Sequence, residues 1–196
     1  MQGFFVLLHC SHPSHFHAMK KPSSSFNALA LGLASLFLLT SCSVFGKLSD
    51  IDYNNQVVDG INATSTVIEN TATLYNEKIP NKVSEKDTLD LTTMQSAYDD
   101  ATQNLENASD LATLESRNIE QQNAVRTGLS TYKSAADLYI ESYKTMLDYY
   151  SNGDYQKDIS KVGSIDEALH TNYTTFIQAN NDLVDTLDSF VTKPLP

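Results

Sequence analysis

Residues 125–150 read VRTGLSTYKSAADLYIESYKTMLDYY, and Val125, Leu129, Tyr132, Ala136, Tyr139, Tyr143, Met146 and Tyr150 recur in it at alternating steps of four and three. That spacing is the signature of one face of an α-helix. Ser151-Asn152-Gly153 follows, a cluster of turn-forming residues that stops the pattern.

Three further seams share the period. The first is Ile51, Val58, Ile61, Ile68, Ala72, Tyr75 and Ile79, ended by Pro80. Next come Leu91, Met94, Tyr98, Ala101, Leu105 and Ala108, opened by a capping start at Ser84-Glu85-Lys86-Asp87. The last is Ile165, Leu169, Phe176, Leu183, Leu187 and Phe190, opened by the capping box Ser164-Ile165-Asp166-Glu167. No comparable two-residue alternation is present, so the expected fold class is all-α. Narrow seams of this kind predict about four long amphipathic helices of roughly 25–35 residues, packed antiparallel at about 20°. Residues 109–118 hold no Gly or Pro, so the boundary between helices two and three is either a turn or a bend in one long helix. The longest predicted loop covers 151–163, with Gly153 and Gly163 at its ends.

Charge divides the chain in two. Of 196 residues, 1–41 contain no Asp or Glu, and their only basic residues are Lys20 and Lys21. All 24 acidic side chains therefore follow, with 11 of the 13 basic ones, so residues 42–196 carry a net −13 against −11 for the whole. An acidic body does not suit nucleic acid, which needs cations against phosphate. It also repels an anionic lipid surface. Ser, Thr, Asn and Gln make up 52 of these 155 residues, and apolar spacing is what argues for a fold rather than disorder.

The positive leader Met19-Lys20-Lys21-Pro22-Ser23-Ser24-Ser25 precedes a 14-residue apolar run from Phe26 to Leu39. The run is short of the ~20 residues a membrane span needs. Leader, run and small residues at its end are the layout of a secretory signal, over 19–41. The run closes on Leu39-Thr40-Ser41-Cys42: an aliphatic residue, two small ones, then Cys. This resembles the lipobox of bacterial prolipoproteins. The resemblance implies cleavage before Cys42, a diacylglycerol on its thiol and an acyl chain on its new amine. Two or three chains anchor stably where one is marginal. It also implies an extracytoplasmic location, on the outer membrane or the outer face of the cytoplasmic membrane; Ser43 is not the aspartate that retains such proteins at the inner membrane of enteric bacteria. Residues 42–49 then form a lipidated tether, and 50–196 the helical domain. Residues 1–18, with His9, Cys10, His12, His15 and His17 in nine positions, precede a complete signal. They are read as an extension ahead of a true start at Met19, discarded with the leader even though a Cys/His tract can bind metal. In its lipobox, short tether and Tyr- and Asn-rich helices opening at Asp52-Tyr53-Asn54-Asn55, the chain is also similar to the YiiG-type helical lipoproteins.

Catalytic and metal chemistry is sparse. Glu167 and His170 have the Glu-x-x-His spacing of di-iron bundles, but such a site needs two of these motifs and His170 is the only histidine after Cys42. Asp50-x-Asp52-x-Asn54 copies the opening of a calcium loop, with Asn55 where glycine belongs and Ile61 where the bidentate Glu belongs. A Ser–His–Asp arrangement would have to use His170, and no Gly-x-Ser-x-Gly elbow exists. The pairs Asp99-Asp100 and Asp166-Glu167 point about 100° apart on a helix. Asn62, Asn107 and Asn172 match the glycosylation pattern by chance. The expectation is a protein without enzymatic activity, cofactor or metal.

Tyrosine is the remaining signal. All ten lie beyond Cys42, and Tyr132, Tyr139, Tyr143 and Tyr150 share the inward seam of one helix. A buried phenol needs a hydrogen-bond partner, which Asn54, Asn172 and Asn180 could supply. The four are read either as polar-lined core or as the ligand-facing wall of a groove for a sugar, peptide or cell-wall fragment. The expected function is a lipid-anchored, non-enzymatic binding or interaction module of the cell envelope, its partner a wall component or envelope protein. The alternative is a structural spacer or envelope-stress protein without a ligand site.

Overall fold

The computed structural model describes residues 46–79 and 89–191. Cys42, the lipobox, the 1–18 and 19–41 segments and the Ser84 capping start lie outside them. The described residues belong to a compact unit that begins at Gly46. They are all-α, in a bundle-like arrangement: α1 (Asp50–Lys78), α2 (Thr92–Ala108), α3 (Ile119–Ser151), the single turn α4 (Asp154–Lys157) and α5 (Val162–Val191), with 3₁₀ turns at Ser109–Thr113 and Ile159–Lys161.

Hydrogen bonds fix the directions. Asp50 O accepts from Gln121 Nε2 at 3.2 Å at one end of α1, and Thr71 meets Tyr139 at 2.8 Å towards the other, so α1 and α3 run parallel. Thr64 Oγ1 donates to Asn104 O at 3.3 Å, with Gly60 against Leu111, so α2 returns antiparallel to α1. Asn172 reaches Ser142 while Gly128 faces Leu183, so α5 returns antiparallel to α3. The close approaches need glycine: a Cβ at Gly60 would stand 2.7 Å from Leu111 Cδ1, and one at Gly128 2.8 Å from Leu183 Cδ1.

The inward seam of α3 is buried from Val125 to Tyr150, as its spacing predicts. That of α1 differs from its sequence reading. Ile51 is 66 % exposed, and the buried face instead runs through Tyr53, Asn54, Val57, Ile61, Thr64, Ser65, Ile68 and Thr71. Thr64, Ser65 and Thr71 among them are small hydroxyl residues, which a search for apolar side chains passes over.

Of two further boundaries, one follows the sequence reading of a turn and the other differs. The α2–α3 connection is a break, made by polar side chains in place of Gly or Pro. Buried Ser116 donates its N–H to Gln122 Oε1 at 2.8 Å and its hydroxyl to Gln121 Oε1 at 3.2 Å, while Asn118 caps α3 by accepting from Gln121 N. The Ser164 capping box is not a cap. The helix has already begun at Val162, Ser164 Oγ donates back to Lys161 O, and Gly163 lies within the helix. Asp158 starts this region instead, accepting from Ser160 N at 3.2 Å. Gly153, at φ +67°, turns the chain out of α3 in the left-handed region that glycine tolerates.

Lys47 and Leu48 do not run free ahead of α1. Leu48 forms a parallel bridge with Ser116: its N–H donates to Glu115 O at 2.8 Å and its O accepts from Arg117 N at 2.9 Å. Arg117 Nε adds a bond to Lys47 O at 3.1 Å. Entry to α1 and entry to α3 are thereby clasped together at one end, called the base below.

Candidate functional site

The α3 tyrosines are placed by a helix whose cap, seam and stop agree, and all four point into the core. Tyr132, Tyr139 and Tyr143 are each 1 % exposed and Tyr150 2 %. Their rings interlock with α5: Tyr132 lies 5.4 Å from Phe176, and Tyr139 lies 5.3 Å from Tyr173 and 6.1 Å from Tyr143, centroid to centroid.

Their hydroxyls fall into two groups. Ser65 donates to Asn180 Oδ1 at 3.0 Å, which leaves Tyr132 as the donor to Ser65 at 3.0 Å. Thr71 likewise donates to Ile68 O at 2.6 Å, leaving Tyr139 as donor to Thr71 at 2.8 Å. Farther from the base, the hydroxyls of Tyr143 and Tyr150 are buried with no hydrogen-bond partner among the described residues.

Of the amides expected to serve these phenols, Asn180 acts one step removed through Ser65, and Asn172 bonds Ser142 instead. Asn54 Oδ1 is buried without a partner among the described residues. Ser65 and Thr71 were missed. The signal for Ser65 was the gap between Ile61 and Ile68, where a 3–4 period requires an inward residue at 64 or 65; Thr71 sits beside Ala72, which the apolar reading had placed on the seam.

Tyr75 and Asp166 form a further polar contact in the half of the bundle away from the base, linking α1 to α5, with the Tyr75 hydroxyl donating to the carboxylate. Tyr150 stands within electrostatic reach of both. Tyr149 donates to Asp158 O at 2.6 Å, and Tyr150 packs against Tyr149 at 5.2 Å and Tyr155 at 5.4 Å. Burial pushes the Asp166 carboxyl up, with the Tyr75 bond pulling the other way.

Burial also sets the protonation of the phenols. Tyr132 is pushed up to about 12, chiefly by desolvation. Desolvation drives Tyr139, Tyr143 and Tyr150 up as well. These phenols hold their protons well beyond physiological pH.

The other sequence candidates are not brought together. Glu167 and His170 lie on the exposed side of α5. Asp50 and Asp52 sit in the first turn of α1, not in a loop, where Ser49 Oγ accepts from Asp52 N at 3.2 Å and donates to its carboxylate at 2.6 Å. Asp99 and Asp100 are both exposed. Among the described residues no group of three His, Cys, Asp or Glu is placed to hold a metal, and no helix is long and apolar enough to cross a membrane. Two shallow depressions of about 370 and 390 Å³ lie outside, between α3 and α5, sharing Thr131, Ala179 and Asp182. No tyrosine of the seam lines either. No protein family, curated protein or solved structure matches this chain.

Proposed function

We propose that this chain is a lipid-anchored, non-enzymatic protein of the cell envelope. In this reading a signal peptide is cut before Cys42, that residue carries the acyl chains, and the longer helices form one antiparallel bundle on the extracytoplasmic side. The observation that carries it is the sequence Leu39-Thr40-Ser41-Cys42 closing the apolar run, and the clasp at Leu48 bears on how the body would hang from such an anchor. Only five residues separate Cys42 from Leu48, and Leu48 is bonded into the start of α3, so anchor and body are joined by a short leash. At 1.5 Å per residue the 33-residue α3 makes that body about 50 Å long.

The better supported role is that of a structural spacer. The tyrosines that would have lined a groove are turned inward and packed, so a ligand could reach them only by parting α3 from α5. The interaction-module reading keeps one observation, the small-residue depressions between those two helices, which would suit a wall component or envelope protein.

Substituting Cys42→Ser and fractionating the cells tests the anchor. Release of the processed protein into the soluble fraction is expected; continued membrane retention of a processed protein would sink the reading.

A further inference from the structure

Large exposed apolar side chains among the described residues are few: Ile51 at 66 %, Ile119 at 49 %, Leu138 at 51 % and Ile159 at 64 %. Two of them share one place in the fold. Ile51 lies three residues after Leu48 and Ile119 three after Ser116, the two residues paired in the parallel bridge. They therefore occupy the first turns of the parallel helices α1 and α3. Asn118 Nδ2 donates to Asp50 Oδ2 at 3.3 Å, holding those turns side by side.

The covalent chain says what faces this end. Four residue steps separate Cys42 from Gly46, at most about 14 Å of fully extended backbone. On a body about 50 Å long, an anchor at Cys42 thus brings the base, and not the opposite end, to the bilayer. We propose that the base rests on the lipid surface, with Ile51 and Ile119 entering the headgroup region. The proposal rests on lipidation of Cys42.

Charge makes the contact apolar in character. Among the described residues beside the clasp, Lys47 and Arg117 are the cations and Asp50, Asp52, Glu115 and Glu120 the anions, and α5 ends at this same end with Asp188 in its last turn, so acidic groups outnumber basic ones. Anionic lipid therefore weakens the contact, and zwitterionic lipid favours it. The acidic flanks stay in water, so the bundle stands on its end.

The test uses the full lipidated protein in phosphatidylcholine vesicles, with a nitroxide on Ile119→Cys or, at the opposite end, on Ile159→Cys. Accessibility is read as power saturation by oxygen against a water-soluble nickel chelate. The label at 119 is expected to favour oxygen, as in lipid, and the label at 159 the chelate. Adding Ile51→Ser should cut the docked-to-undocked ratio on the order of fivefold, the loss for half-burying one isoleucine. Phosphatidylglycerol should reduce it further. A label at 119 as aqueous as that at 159, on a protein that Cys42→Ser releases, would overturn the base contact and leave the anchor standing. Retention of the Cys42→Ser protein on the vesicles overturns the anchor, and with it the leash on which the contact depends.

Discussion

The inner seam of α3 is chemically uniform along its length and physically is not. Near its middle, Tyr132 and Tyr139 each hand a proton to a hydroxyl of α1, and Ser65 passes the chain on to Asn180 of α5. One and three turns farther from the base, Tyr143 and Tyr150 fill the same kind of space with their hydroxyls unpartnered among the described residues. The two pairs share the packing of an aromatic ring and differ in the phenolic oxygen. Ring and oxygen therefore contribute separately: the ring through apolar area removed from water, and the oxygen through a bond that either repays its dehydration or does not.

Removing the ring should erase the contrast. Tyr139→Ala and Tyr143→Ala are each expected to destabilise the protein by about 3–5 kcal/mol in urea unfolding, the usual loss for a buried aromatic. A clearly smaller loss at Tyr143 would break the claim that both halves pack alike.

Alkaline pH sharpens the contrast from the other side. These phenols titrate higher folded than their value of about 10 in an unfolded chain, so the native state keeps protons that the unfolded state releases. Their contribution is complete below pH 10 and is lost as pH rises, for Tyr132 until about 12. Each such phenol should steepen the decline by about 1.4 kcal/mol per pH unit. Thermal unfolding from pH 8 to 11.5 checks this, and Phe at any one of the four positions should flatten the curve whether or not its hydroxyl was bonded.

The smallest effects separate the pairs. Tyr132→Phe and Tyr139→Phe are expected to cost about 1 kcal/mol each at neutral pH. Tyr143→Phe and Tyr150→Phe should cost nothing or stabilise slightly, since they remove a dehydrated hydroxyl without breaking a bond. Equal losses at all four in chemical denaturation would mean that the outer pair has partners after all.

What the sequence disclosed follows the same division between apolar area and polar bonds. The α3 seam was legible in full because every inward position from Val125 to Tyr150 is apolar or aromatic. On α1, apolar spacing alone placed Ile51 inside, whereas Tyr53 and Asn54 take the inward positions of that turn and Ser65 and Thr71 fill others. Polar residues face inward there because α3 presents phenols that need acceptors, a requirement visible only once the two helices are paired. A turn at 109–118 was the favoured reading, but the bonds that make it were hidden for a related reason. Ser116, Asn118, Gln121 and Gln122 make a turn by bonding backbone groups, and nothing in their composition marks one. As for the candidate site, the four tyrosines were found and their inward direction with them. Their partners on α1 were not.

The clasp at the base has a mechanical consequence. Ser116 lies 68 positions beyond Leu48, yet the two are adjacent in space. A pull on the residues before Gly46 meets the Leu48–Glu115 and Leu48–Arg117 bonds and passes straight into the head of α3. The intervening hairpin of α1 and α2 is bypassed and carries no tension while those bonds hold. Load entering ahead of Gly46 is taken by the helix with the best-packed seam, and the more polar face of α1 is spared.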